Sequence, residues 1–206
     1  MESWVAEETA AADIGDTRLN QRLGVVLNRL GDKPGISIPA ASKGWAEIQA
    51  AYRFFSNDKV TMEKILGAHE PATLERIKSH SVVLLVNDTT QLNYVVVRKK
   101  EGFGTIRTQE RTRYHLHPTI ALTPDRVCLG TVTANFWQRP EETEGHLRKQ
   151  KEIEDKESIR WLESYEKACE ISRQAAQTTI VSVGDRESDI YEYYQLHAQL
   201  DAGQRA

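Results

Sequence analysis

Cysteine is nearly absent from this sequence. The two that occur, Cys128 and Cys169, stand alone, so neither a disulfide framework nor a zinc motif can be drawn from them, and both are expected to be packing residues. No apolar run approaches the roughly 20 residues needed to cross a bilayer. The start, Met1-Glu2-Ser3-Trp4-Val5, has neither the basic nor the apolar region of a secretory signal, so a cytoplasmic location with no membrane partner is expected. Low-complexity tracts are missing too. So is any excess of positive charge: 27 Lys and Arg stand against 30 Asp and Glu, a formal net charge of -3. The chain as a whole has no general attraction for a polyanion, and a nucleic-acid partner has to be argued from local patches. What remains is the composition of a globular protein, 39% apolar and 28% charged over 206 residues, long enough for one domain with an appendage.

The stretch that organises the rest is Val82-Val83-Leu84-Leu85-Val86-Asn87-Asp88-Thr89-Thr90. Its short, β-branched, uninterrupted apolar run predicts a fully buried strand, which delivers a carboxylate and two hydroxyls at its C-terminal end. The pattern recurs as Thr179-Ile180-Val181-Ser182-Val183-Gly184-Asp185. Two buried strands that both end in aspartate suggest one shared site.

Ahead of the first strand the periodicity is helical. Residues 17–30 place Leu19, Leu23, Val26, Leu27 and Leu30 on one face, with Asp16 as N-cap and Gly31 as stop. Arg18, Arg22 and Arg29 gather on the opposite face, either as a solvated basic surface or as a phosphate-contacting stripe. Pro34 and Pro39 make the next segment extended. A second helix is expected from about Ser42, lined by Trp45, Ile48, Tyr52 and Phe55, with Lys43, Gln49 and Arg53 facing outward. Aromatics at this spacing read as core, not as stacking platforms for bases. Thr61 can cap a short helix, and Pro71 suits the first turn of another that carries Leu74 and Ile77.

After Asp88 the alternation over residues 91–97 predicts a second strand. Arg98-Lys99-Lys100, a turn at Gly102 and Gly104, and then Arg107, Arg111 and Arg113 form the densest basic stretch in the chain, read as a solvated loop or as a phosphate contact. Residues 114–123 and 127–136 form a hairpin turned by Pro124-Asp125. His115 and His117 share a strand face, and without a third ligand of recognisable spacing they read as structural or hydrogen-bonding histidines. A charged run over 139–156 leads into a long helix through Ile159, Leu162, Tyr165, Cys169 and Ala176. Glu152–Lys156 and Glu163–Lys167 have the favourable order for ion pairs. The strand ending at Asp185 and a last helix over 186–200 follow. The fold class expected is α+β or α/β, with a helical bundle over residues 1–80 and a mixed sheet with flanking helices over 81–206, Asp88 and Asp185 on neighbouring strands.

Two aspartates at adjacent strand ends admit two readings. Hard divalent cations prefer oxygen ligands, and a pair of them about 3.5 to 4 Å apart can stabilise the attacking and leaving oxygens of phosphodiester cleavage. Alternatively Asp185 only caps the helix after it and Asp88 forms an Asx-turn. The wider pattern bears on that choice. Ala12-Asp13-Ile14-Gly15-Asp16-Thr17-Arg18-Leu19, Ser37-Ile38-Pro39-Ala40-Ala41, Ala51-Tyr52-Arg53-Phe54-Phe55, Asn87-Asp88-Thr89-Thr90, Phe136-Trp137-Gln138-Arg139-Pro140 and Gly184-Asp185-Arg186-Glu187-Ser188-Asp189-Ile190 follow one another along essentially the whole chain. In that order they resemble the signatures of the insertion-sequence-four group of cut-and-paste transposases, relatives of the transposon-five enzyme.

The resemblance implies a helical N-terminal module that binds the terminal repeats of a transposon as double-stranded DNA, then an RNase H-like core with an Asp, Asp, Glu triad, in a nucleoid-associated protein. Asp88 matches the first aspartate and Asp185 the second, both catalytic and both ligands of magnesium or manganese. Arg18, Arg22 and Arg53 become candidate DNA contacts, and Lys43, Arg111 and Arg113 complete the candidate DNA-binding set. The same resemblance implies a later glutamate in a Tyr-x2-Arg-x3-Glu-x6-Lys signature, a β-rich insertion and a C-terminal region that builds the synaptic dimer, and the sequence reaches Ala206 before them. Glu187 and Asp189 belong to the second-aspartate motif and are not expected to replace the glutamate. The expectation is a truncated transposase with two of three carboxylates, an incomplete core, weak metal binding and no activity alone. The alternatives are a non-catalytic inhibitor that assembles with full-length transposase, and an active enzyme completed by a separate polypeptide.

Overall fold

A computed structural model describes residues 3–99, 107–138 and 158–199, and the chain divides into two compact units, Met1–Arg76 and Ile77–Ala206. The first unit is built from α1 (Ser3–Glu8), α2 (Thr17–Gly31), the single turn α3 (Ile38–Ala41), α4 (Trp45–Phe55) and α5 (Met62–Lys78), the last two residues of which fall in the second unit. Asp16 caps α2 as its sequence requires: its backbone is extended and its carboxylate accepts the Arg18 N–H at 2.8 Å. Gly31 is the last helical residue and Asp32 the cap. Glycine is needed there because a Cβ would stand 2.6 Å from the Trp4 ring. Ile14, Leu23, Val26, Ala51, Phe54 and Ala68 form the core.

Helix α1 has no counterpart in the apolar periodicity. It is held by buried Val5 and by Glu8, which accepts from Arg76 Nη1 at 2.7 Å and pairs with His69 of α5. Pro71, expected in a first turn, lies inside α5. A proline there removes one helical hydrogen bond and crowds the carbonyl four residues back. That residue is Gly67, with nothing within 4 Å of its Cβ position, and buried Ala68 and Thr73 anchor the helix on either side.

The second unit is a five-stranded mixed sheet with helices after it: β1 (Val82–Asn87), β2 (Thr90–Lys99), β3 (Arg107–Leu122), β4 (Cys128–Trp137), α6 (Ile159–Gln174), β5 (Thr179–Val183), a 3-10 turn at Arg186–Ser188 and α7 (Tyr191–Gln199). With the helical first unit this is an α+β chain, one of the two classes, α+β or α/β, expected from the sequence. The long β3 pairs antiparallel with β2 through Arg107–Leu116 and with β1 through Thr119–Leu122. Its residues from His115 onward also pair with β4. Because Leu116 and Thr119 each pair on both sides, β1 and β2 share one edge of β3 and β4 takes the other. β5 lies parallel to β1, from Val82↔Thr179 to Val86↔Val183.

β1 is buried on one row only. Val83, Leu85 and Asn87 are covered, while Val82, Leu84 and Val86 are partly open, so the apolar run is not buried on both faces. Trp161, Ser164, Tyr165, Ala168, Cys169 and Ile171 are the buried residues of α6. Arg107, Arg111 and Arg113 are strand residues in place of the expected loop, because pairing with β2 satisfies their backbone. Cys169 packs in the interior, whereas Cys128 is exposed at the start of β4. Lys167 reaches Glu170 at 3.0 Å, and Glu163 accepts from Asn135 of β4 at 3.3 Å. The Gly102–Gly104 turn, the charged run over 139–156 and the Glu152–Lys156 pair lie outside the described residues. No helix among the described residues is long and apolar enough to cross a membrane.

Candidate functional site

Asp88 lies where the edge of β3 changes partner. The ladder stops at Thr90↔Leu116 and resumes at Asn87↔Thr119, and the residues left between are Asp88 and Thr89 on one side, His117 and Pro118 on the other. Proline has no N–H to give a ladder and belongs at such interruptions. Asp88 and Asp185 each follow the last parallel pair, Val86↔Val183, by two residues. Both carboxylates act on one group, the buried His117 imidazole. Burial holds that ring below the usual histidine range and Arg160 pushes it the same way, while the charges of Asp88 and Asp185 work in the opposite sense.

Each carboxylate also does a local job. Asp88 Oδ1 accepts the Thr89 N–H at 2.6 Å. Asp185 Oδ1 accepts the Glu187 N–H at 2.8 Å, which caps the 3-10 turn. In each case Oδ2 remains without a hydrogen bond or ion pair among the described residues. The turn after β5 packs closely: a Cβ on Gly184 would stand 2.8 Å from Ser188 Oγ and 2.9 Å from the Trp161 ring, so glycine lets this turn come up against Trp161 of α6.

Beneath the pair is a polar layer that sequence reasoning left unassigned. Asn87 Nδ2 donates to Leu85 O and Val183 O, both at 3.3 Å, and its Oδ1 accepts from Thr119 Oγ1 at 2.5 Å. Thr133 donates to Thr119 at 2.8 Å, and Ser164 Oγ stands 3.3 Å from it. Thr89 Oγ1 and His117 Nδ1 are 2.8 Å apart, and the His117 and Trp161 rings meet edge to face at 4.6 Å. The available signal was Asn87 itself, an amide in a row whose other members, Val83 and Leu85, are apolar. No group of three or more carboxylate, histidine or cysteine residues able to hold a metal occurs among the described residues.

The basic residues of the first unit separate by partner. Arg29 makes a two-pronged ion pair with Glu47 of α4, both contacts at 3.0 Å. That pair, with the Lys43 N–H, lowers the Glu47 carboxyl from 4.5 to about 2. Arg29 therefore leaves the expected α2 stripe as a neutralised charge. Arg18 folds back on Asp16 at 3.1 Å while staying exposed, and this hydrogen bond lowers the Asp16 carboxyl and raises the Arg18 guanidinium. Arg22 and Arg53 have no hydrogen bond or ion pair among the described residues, and Lys43 is exposed just before α4. Arg22 lines one cleft with Glu47 and Ala51, so it sits on the side of α2 that meets α4.

Helix α4 turns its aromatics the opposite way from expectation. Phe54 is buried, but Trp45 is 72% exposed, Tyr52 49% and Phe55 47%. Steps of seven and three residues keep these three on one side of the helix, and Ala51 and Phe54 fill the core side. Residues 1–60 match the transposase DNA-binding family. This transposase DNA-binding match covers α1 to α4 whole, with the exposed aromatic face, Arg18, Arg22, Lys43 and Arg53. Asp88, Asp185 and Arg113 lie outside it. Arg113 is exposed on β3, and the Arg111 side chain is not among those described.

Proposed function

We propose that the chain is a DNA-binding protein of transposase descent, whose first unit grips double-stranded DNA with residues of α2 and α4. What carries this reading is the match of residues 1–60 to the transposase DNA-binding family. Arg22 and Arg53 are cations with no partner among the described residues, as phosphate binding requires. Trp45, Tyr52 and Phe55 offer apolar surface beside Arg53. Arg18 and Lys43 are flanking contacts, and Arg29 has no part because Glu47 holds it.

The test is fluorescence anisotropy on duplexes carrying transposon ends, over a range of salt. Arg22→Ala with Arg53→Ala should weaken binding and reduce the slope of log affinity against log salt by about one unit for each phosphate no longer neutralised. Unchanged affinity and slope would remove these residues from the interface. A protein that acts only by assembling with full-length transposase would show no preference for end DNA.

The second unit fits the two-aspartate part of an RNase H-like core of the insertion-sequence-four type. The observation in favour is the pair itself: two hard oxygen donors just past the ends of adjacent parallel strands, each with one oxygen uncommitted among the described residues, which suits magnesium or manganese. A bound divalent cation would supply Lewis-acid stabilisation to the attacking and leaving oxygens of a phosphodiester. Two protein ligands hold a cation loosely, and DNA binding is the activity proposed. Arg113, exposed on β3, is proposed as a further DNA contact, as is Arg111 from its place in the basic stretch of the sequence.

A further inference from the structure

We propose that Asn87 is a positioning residue that sets the spacing of Asp88 and Asp185; this rests on reading the two carboxylates as a divalent-cation site. Asn87 precedes Asp88 in the chain and reaches Val183, two residues before Asp185, through Nδ2 at 3.3 Å. It does so at the level where the register of β1 with β5 ends. Asn87 is 4% exposed, in a row where Val83 and Leu85 are fully covered. An aliphatic side chain is the ordinary filler of such a position, and a buried amide is costly unless its hydrogen bonds are made. Here both Nδ2 protons and Oδ1 have partners.

The amide is in turn held from three directions. Thr119 of β3 donates to it, Thr133 of β4 donates to Thr119, and Ser164 of α6 adjoins the same hydroxyl. A chain of this kind polarises along its length and fixes a single side-chain orientation. It therefore transmits the positions of β3, β4 and α6 to the two strand ends from which the carboxylates project. Partners one step removed from metal ligands typically change metal affinity by about 10- to 100-fold when removed.

The experiment is Mn2+ titration of the full chain, followed by the electron paramagnetic resonance signal of free Mn2+, with circular dichroism and thermal melting on each variant. Asn87→Val suits the strand and its apolar row, and should fold while binding Mn2+ at least about tenfold more weakly. Thr119→Val, which keeps the shape and removes the hydroxyl that holds the amide, should lower affinity in the same direction but by less. It decides the matter if Asn87→Val does not fold. Asp88→Asn and Asp185→Asn should each abolish binding. Wild-type affinity in both Asn87→Val and Thr119→Val, with binding abolished in the aspartate variants, would overturn the role of Asn87 alone. No Mn2+ binding by the wild type, or undiminished binding in Asp88→Asn, would overturn the cation site and this inference with it.

Discussion

At the scale of single residues, the pairing of each charge decides its role more than its place on a helical wheel. Arg18, Arg22 and Arg29 share a face of α2 by spacing. Of the three, Arg22 alone lacks a partner among the described residues, since Asp16 takes Arg18 and Glu47 takes Arg29. The Arg29–Glu47 pair joins α2 to α4 and implies a response to acid. Because Glu47 titrates at about 2 in the fold against an ordinary 4.5, its contribution to stability is complete above pH 4.5 and fades as pH falls toward 2. Glu47→Gln should therefore have a lower melting temperature than the wild type at pH 7. The gap should close on acidification to about pH 3 and below. Equal melting temperatures at pH 7 would show the pair to be without effect.

At the scale of elements, α4 and the β1–β2 arm carry the information that sequence patterns left open. In α4 the spacing of Trp45, Tyr52 and Phe55 suits a core face, and Phe54 suits a surface no better than they do. An apolar stripe defines which residues can face one way, but not whether a neighbour will be there to cover them. The bundle covers Ala51 and Phe54, and the broad aromatic side is left to solvent. Trp45→Ala should change stability by less than about 0.5 kcal/mol, as exposed positions do, and lower DNA affinity about tenfold if the indole is an anchor. Phe54→Ala should cost about 3–5 kcal/mol. Isothermal denaturation and anisotropy on the same samples separate the two effects, and a large drop in stability for Trp45→Ala would place it in the core after all. In the β1–β2 arm, Asp88 and Thr89 are released from the ladder opposite His117 and Pro118. That juxtaposition depends on a pairing register with β3, a strand well downstream in the chain.

At the scale of the whole molecule, the proposed function places most of the DNA contact in residues 1–76 and the carboxylate pair in residues 77–206. Affinity for DNA should then survive removal of divalent cations. In EDTA the dissociation constant for end DNA is expected to stay within about twofold of its value in magnesium at matched ionic strength, since the dominant contribution is phosphate neutralisation. Abolished binding in EDTA would tie the two tasks together. The sequence by itself determined the helical character of the first unit, the strands that lead to Asp88 and Asp185, and a mixed sheet with flanking helices, because apolar periodicity and capping residues act locally. Only tertiary structure decided that α4 bares its aromatics, that Arg29 is spent on Glu47, and that the Arg107–Arg113 stretch is strand. It alone also brought Asn87, His117 and Thr119 together beneath two aspartates far apart in the chain. The physical reason is that burial and pairing belong to contacts between distant segments, and no local pattern states which segments will meet.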